Sequence, residues 1–133
     1  MESLYNFSRW HDKTKKGNLD ARGFDMVAHQ HVPDQAQLIY DKNGVKVTSF
    51  PVPHGMYGAV GYRLDYAGMS MVFAGDCEPS TITVENSQNV DLIIHETFNA
   101  PETYVDMLGW TEVMAKIVAW TKHTSPEAAA KVF

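Results

Sequence analysis

The chain has 133 residues, 44% hydrophobic and 20% charged, enough for one domain with a real core and too few for two ordinary ones. A net charge of −5 with six histidines argues against nucleic-acid binding through a broadly basic surface, and no apolar run approaches the ~18 residues of a membrane span. One cysteine excludes an internal disulfide framework, and the stretch MESLYNFSRWHDKTKK lacks the apolar core of a signal peptide, so the expected location is the cytoplasm.

Residues 1–23 read as an N-terminal helix or arm. Tyr5, Phe7 and Trp10 precede a basic cluster, Lys13, Lys15 and Lys16, which suits the negative end of a short helix, and Gly17 and Asn18 break the pattern. Residues 24–133 read as one partial domain. FDMVAHQHV and AQLIY are extended runs separated by Pro33 and Asp34. DKNG at 41–44 signals a tight turn, and VKVTSFPV, GAVGYRLDY and MSMVFAGD follow. Residues 24–76 are therefore expected to form four or five strands, mostly hairpin-connected. Residues 80–88 fit a short helix. VDLIIHET is a continuous apolar run, the pattern of a strand buried on both faces. PETYVDMLG and TEVMAKIVAWT have helical spacing, with Val113, Ile117 and Trp120 on one face. Ser125 and Pro126 open a last helix as N-cap and first helical residue.

Four polar side chains sit where these elements end. His54 follows VTSFPVP, Asp76 follows SMVFAG, Glu96 lies in the HET that closes DLII, and His123 stands just before the last N-cap. Element ends are rigid supports with exposed tips, which a metal or proton-transfer site needs. His with Asp suits zinc, or iron and manganese where oxygen ligands dominate. Taken singly, each has an ordinary explanation. A lone His after a strand is usually a surface or hydrogen-bonded residue. Asp76 could fix a turn or cap the segment near Ser80, Glu96 could be solvated, and His123 could meet helix-end groups. His29 and His31 share a strand face, but no third ligand lies near in sequence. Gly75 is expected to let the backbone approach closely beside Asp76. Cys77 reads as a buried inert thiol or as a soft metal ligand.

In chain order the set is PHG, GD, HET and HTS, within "VTSFPVPHG", "GAVGYRLDYAGMSMVFAGD", "VDLIIHETF" and "KHTSPEAAAKVF". These stretches resemble the C-terminal half of a metallo-β-lactamase-fold hydrolase, most of all the branch containing ribonuclease Z, the tRNA 3′-end processing nuclease. The resemblance implies an α/β (α+β) fold, half of an αββα sandwich, with a mixed, mostly antiparallel sheet and helices on one face. It implies His54 and Asp76 as metal ligands, with Asp76 bridging two ions and zinc as the cofactor, manganese or iron being the other candidates. It gives Glu96 the task of orienting His123, and His123 that of donating a proton or stabilising an oxyanion. The implied reaction is hydrolysis of an ester, lactam or phosphodiester by metal-activated water.

The family's H-x-H-x-D-H motif and its last metal histidine have no counterpart in this sequence. The chain is therefore expected to be a truncated hydrolase module, inactive by itself, with one sheet face bare. That face predicts a homo-oligomer or a partner chain supplying the missing half-domain. The rival reading is a non-catalytic interaction or assembly module that keeps part of the fold. A third, nucleic-acid processing, is weakened by the acidic balance and the lack of an RNA-clamping arm.

Overall fold

Two short turns organise the first half of the chain. Asn43 and Gly44 take φ of 53° and 78°, and Ala67 and Gly68 take 52° and 79°. Consecutive positive φ values twist a two-residue loop to match the strands on either side, so each pair closes a hairpin. The computed structural model describes residues 29, 32, 34–55 and 57–132. The expected arm, most of the FDMVAHQHV run and His31 of the H-x-H pair lie outside the described residues. The elements all fall in the unit His31–Phe133, one of two into which the chain divides.

Strand β1 (Gln37–Lys42), β2 (Val45–Pro51), β3 (Val60–Tyr66) and β4 (Met69–Phe73) pair antiparallel in sequence order. Helix α1 (Thr81–Asn86) then crosses over, and β5 (Leu92–Ile94) joins β4 in parallel, giving a five-stranded sheet ordered β1-β2-β3-β4-β5. Three helices follow, α2 (Pro101–Leu108), α3 (Glu112–Thr121) and α4 (Pro126–Ala129). Their ends carry the expected signals. The side chains of Ser80, Thr111 and Ser125 accept from the amides of Thr83, Met114 and Ala128, and Pro101 and Pro126 occupy first turns.

The sheet has two unlike faces. On one, Phe50 and Val72 are fully buried with Val52, Ala74 and Cys77, and Ala59, Val90 and Ile93 pack against them. Gly61 sits opposite Phe50 in the ladder; a Cβ there would lie 2.6 Å from the Phe50 ring, so the ring fills the space a side chain would take. Arg63 on the same face donates to the carbonyls of Asn86 (2.9 Å) and Gln88 (3.1 Å), tying the C-terminal end of α1 down with a cation.

The other face is apolar and open. Tyr62, Phe73 and Ile94 stand in register across three strands, as do Leu64, Met71 and Leu92, with Tyr66 opposite Met69. Phe73 is 47% exposed and Leu92 52%. This corrects the expectation that the VDLIIHET strand is buried on both faces. Only Ile93 turns to the core, while Leu92 and Ile94 point to the open side. A continuous apolar run records that both faces suit burial; it does not record what covers them. Helix α3 also leaves an apolar face uncovered. Val113, Ile117 and Trp120 do share a face, but they face solvent, and the helix buries Ala115 and Ala119 instead.

Candidate metal centre

Asp76 projects from the end of β4 after Gly75, which holds φ at 75°. A Cβ on Gly75 would meet its nearest neighbour, the Val60 carbonyl, at an ordinary 3.5 Å. The glycine is therefore needed for its backbone angle rather than for close approach, contrary to the sequence expectation. Its left-handed turn ends the strand and swings the carboxylate outward, leaving Asp76 57% exposed.

His54 reaches the same place from the loop after β2. Its Nδ1 lies 2.9 Å from the Lys122 carbonyl, which can only accept, so Nδ1 carries the proton. The other nitrogen, Nε2, then presents a lone pair to Asp76 Oδ2 at 3.3 Å. Two acceptors face each other. A cation between them, a proton or a metal ion, turns that opposition into attraction.

His123 arrives between α3 and α4. Its Nδ1 lies 2.8 Å from Asp76 Oδ1 and 3.1 Å from Glu96 Oε1. Glu96 follows β5, and its Oε1 also accepts from the backbone amides of Thr124 (3.1 Å) and Cys77 (3.3 Å). That single oxygen thus gathers the ends of two strands and the α3–α4 loop. The four residues expected from sequence, His54, Asp76, Glu96 and His123, all meet here. His54, Asp76 and His123 each offer one ligand atom within 4.8 Å of the others, a nitrogen–oxygen–nitrogen set of the kind that holds divalent transition metals.

Cys77 and His95 do not join them. His95 Nδ1 bonds the Glu96 carbonyl at 2.8 Å, and its Nε2 faces the Cys77 sulfur at 3.9 Å. Burial pushes the Cys77 thiol up to about 11, and the carboxylates of Glu96, Asp76 and Glu78 add to the shift. The inert-thiol reading is the one the surroundings favour, because a ligand sulfur must ionise.

Sequence reasoning missed two supports. Thr124 is fully buried; its hydroxyl donates to the Cys77 carbonyl at 2.6 Å while its amide holds Glu96. Phe98 lays its ring flat on the His123 imidazole, with centroids 4.2 Å apart and planes 5° off parallel. Both directly follow or lie near motif residues, in HETF and HTS, and that adjacency was the available signal.

No family model matches the chain, and no curated protein does. Among solved structures it is similar to the short form of human tRNase Z, with a TM-score of 0.53 and 20% identity. The chain has part of the metallo-β-lactamase fold. The match covers 74% of this chain and 34% of that one, so the chain spans about a third of the neighbour's length. Within the metallo-β-lactamase fold, the described sheet with its crossover and helices is one α/β portion. No described helix is long and apolar enough to cross a membrane.

Proposed function

We propose that the chain is a metal-binding module of a metallo-β-lactamase-fold hydrolase, acting on an ester-like centre: a carboxylic ester, lactam or phosphodiester. The observation that carries this is the His54–Asp76–His123 set, two imidazoles from separate chain segments meeting on one carboxylate. His54 and Asp76 would hold the ion, zinc first and manganese or iron as the other candidates. When bound, such an ion supplies Lewis acidity and activates water.

The chain's own groups divide the remaining work. The Lys122 carbonyl fixes the His54 tautomer so that Nε2 faces Asp76. Glu96, held by two backbone amides, orients His123 through Nδ1. That leaves His123 Nε2 as the nitrogen to give a proton to a leaving group or to meet a developing negative charge. Catalytic zinc ordinarily takes three protein ligands per ion with one position open. With His123 kept for proton transfer, the described residues hold at most one ion, through His54 and Asp76, and a two-ion centre needs donors from elsewhere. Turnover by this chain alone is expected to be slight or absent. Its buried single thiol suits a reducing compartment such as the cytoplasm.

Calorimetric titration with Zn(II) tests the reading. One site of modest affinity, lost in Asp76→Ala, is the expected result. Two tightly bound ions would overturn the one-ion account, and no binding would remove the metal from it.

A second reading, a non-catalytic assembly module, draws on the open apolar sheet face. It prevails if His54→Ala with Asp76→Ala leaves metal content and every other measurable property unchanged.

A further inference from the structure

We infer that Phe98 is a positioning residue for His123, and that α2 fixes it in place through a column of stacked rings; this rests on the reading of His123 as part of the site. His123 lies on Phe98, Phe98 on Tyr104 (4.2 Å, 13°), and Tyr104 on Trp110 (5.3 Å, 25°). The column runs from the candidate metal centre out along α2 to Trp110, two residues beyond its end.

His123 needs such a support. A histidine's outer torsion is broad and roughly two-fold, so the side chain alone does not choose a ring plane. Hydrogen bonds from Nδ1 to Asp76 and Glu96 pin one edge of the ring. They leave the ring able to rock about that edge. A flat neighbour removes this second freedom, and Phe98 is that neighbour. His54 meets the His123 ring differently, edge-on at 5.5 Å and 63°, and so sets no plane.

Phe98 is itself well placed to serve as a reference. Its amide donates to the Thr124 carbonyl at 2.8 Å, one residue beyond His123, and Glu96 receives the Thr124 amide in return. The two loops are thus tied by one backbone bond, Phe98 to Thr124, and by one from the Thr124 amide to the Glu96 carboxylate. Phe98's location does not depend on its ring, and a substitution there changes what presses on His123 more than where the loop runs. Tyr104 closes the far side of Phe98, so neither ring can slide without displacing the next.

The test follows the His123 ring by NMR and the Zn(II) affinity by calorimetry, in full-length chains. His123 signals are assigned with His123→Gln. In the parent chain they should be displaced upfield by the Phe98 ring current. Phe98→Leu keeps an apolar side chain but no flat face. It should abolish the displacement and weaken Zn(II) binding about two- to tenfold. Phe98→Tyr should restore both. Tyr104→Leu should give a partial change in the same direction, and it carries the test if Phe98→Leu does not fold. Unchanged His123 signals in either leucine variant would overturn the inference, as would a Phe98→Tyr chain as impaired as Phe98→Leu. If the parent chain binds no Zn(II), the metal reading fails, and the ring signals still decide the positioning role.

Discussion

His54 Nε2 and Asp76 Oδ2 lie 3.3 Å apart although His54 has already committed its proton-bearing nitrogen to the Lys122 carbonyl. A divalent ion that enters this gap binds the folded chain and not the unfolded one. Saturation should therefore raise stability by about 2.7 kcal/mol at a hundredfold excess over Kd. Thermal melts with Zn(II), and with chelator as the reversal, measure it. Asp76→Ala should abolish the shift. An equal shift in that variant would place the ion elsewhere.

Glu96 should matter to stability as well as to chemistry. Its Oε1 satisfies two backbone amides and the His123 ring. Glu96→Ala leaves these donors without their acceptor and is expected to cost about 1–3 kcal/mol. Thr124→Val, which strips the buried hydroxyl from the Cys77 carbonyl, should cost a similar amount. Urea denaturation reads both. Values within the error of the parent chain would show that the junction is not a structural tie.

Cys77 gives a pH signature. Its folded thiol is pushed up to about 11, above its ordinary value near 9, because burial disfavours the thiolate. The unfolded chain therefore releases this proton first as pH rises. The contribution is fully present below about pH 9 and declines as pH climbs toward 11, by an amount on the order of 2 kcal/mol. Comparing Cys77→Ala with the parent chain across pH 8–11 isolates it from tyrosine and lysine titration. Parallel stability curves would refute it. In the same range the native thiol should resist alkylation.

The open sheet face should drive weak self-association. Tyr62, Tyr66, Met69, Phe73, Leu92 and Ile94 are each 40–62% exposed. At about 200 Å² per large side chain they offer on the order of 600 Å² per face. Two such faces together reach only the lower bound of a specific interface, roughly 1,200 Å². Sedimentation should show a concentration-dependent dimer, and Phe73→Lys should shift it toward monomer. A parent chain that stays monomeric at high concentration would count against this.

The sequence made the hairpins legible through DKNG and YAG, because glycine and asparagine at those offsets tolerate the required positive φ. It made the helix starts legible through Ser80 and Ser125-Pro126, whose side chains do locally what they do in the fold. The four site residues were readable as polar groups where apolar runs stop. Other features depend on contacts between distant segments. The outward direction of Val113, Ile117 and Trp120 is set by what packs beneath Ala115 and Ala119, not by helical spacing. The two open residues of β5 look the same in sequence as buried ones. Phe98 has no periodic partner, since His123 and Tyr104 reach it from different segments. Thr124, a polar residue just before a cap, is fully enclosed, and nothing in its local sequence marks it for burial.

The parallel pairing of β4 and β5 has a consequence for how this molecule could vary. Because α1 carries the chain back before β5 begins, both strands deliver their last residues to the same rim, and Asp76 and Glu96 arrive side by side. A hairpin in place of the crossover would have sent Glu96 to the opposite rim, about 10 Å away. The first residue of the detour, Cys77, gives its amide to Glu96, so that end of the crossover is part of the junction. Extra residues spliced in at Asn89, already in a left-handed turn, would lengthen the return path without moving either endpoint, which makes that bend the natural place to graft a foreign loop.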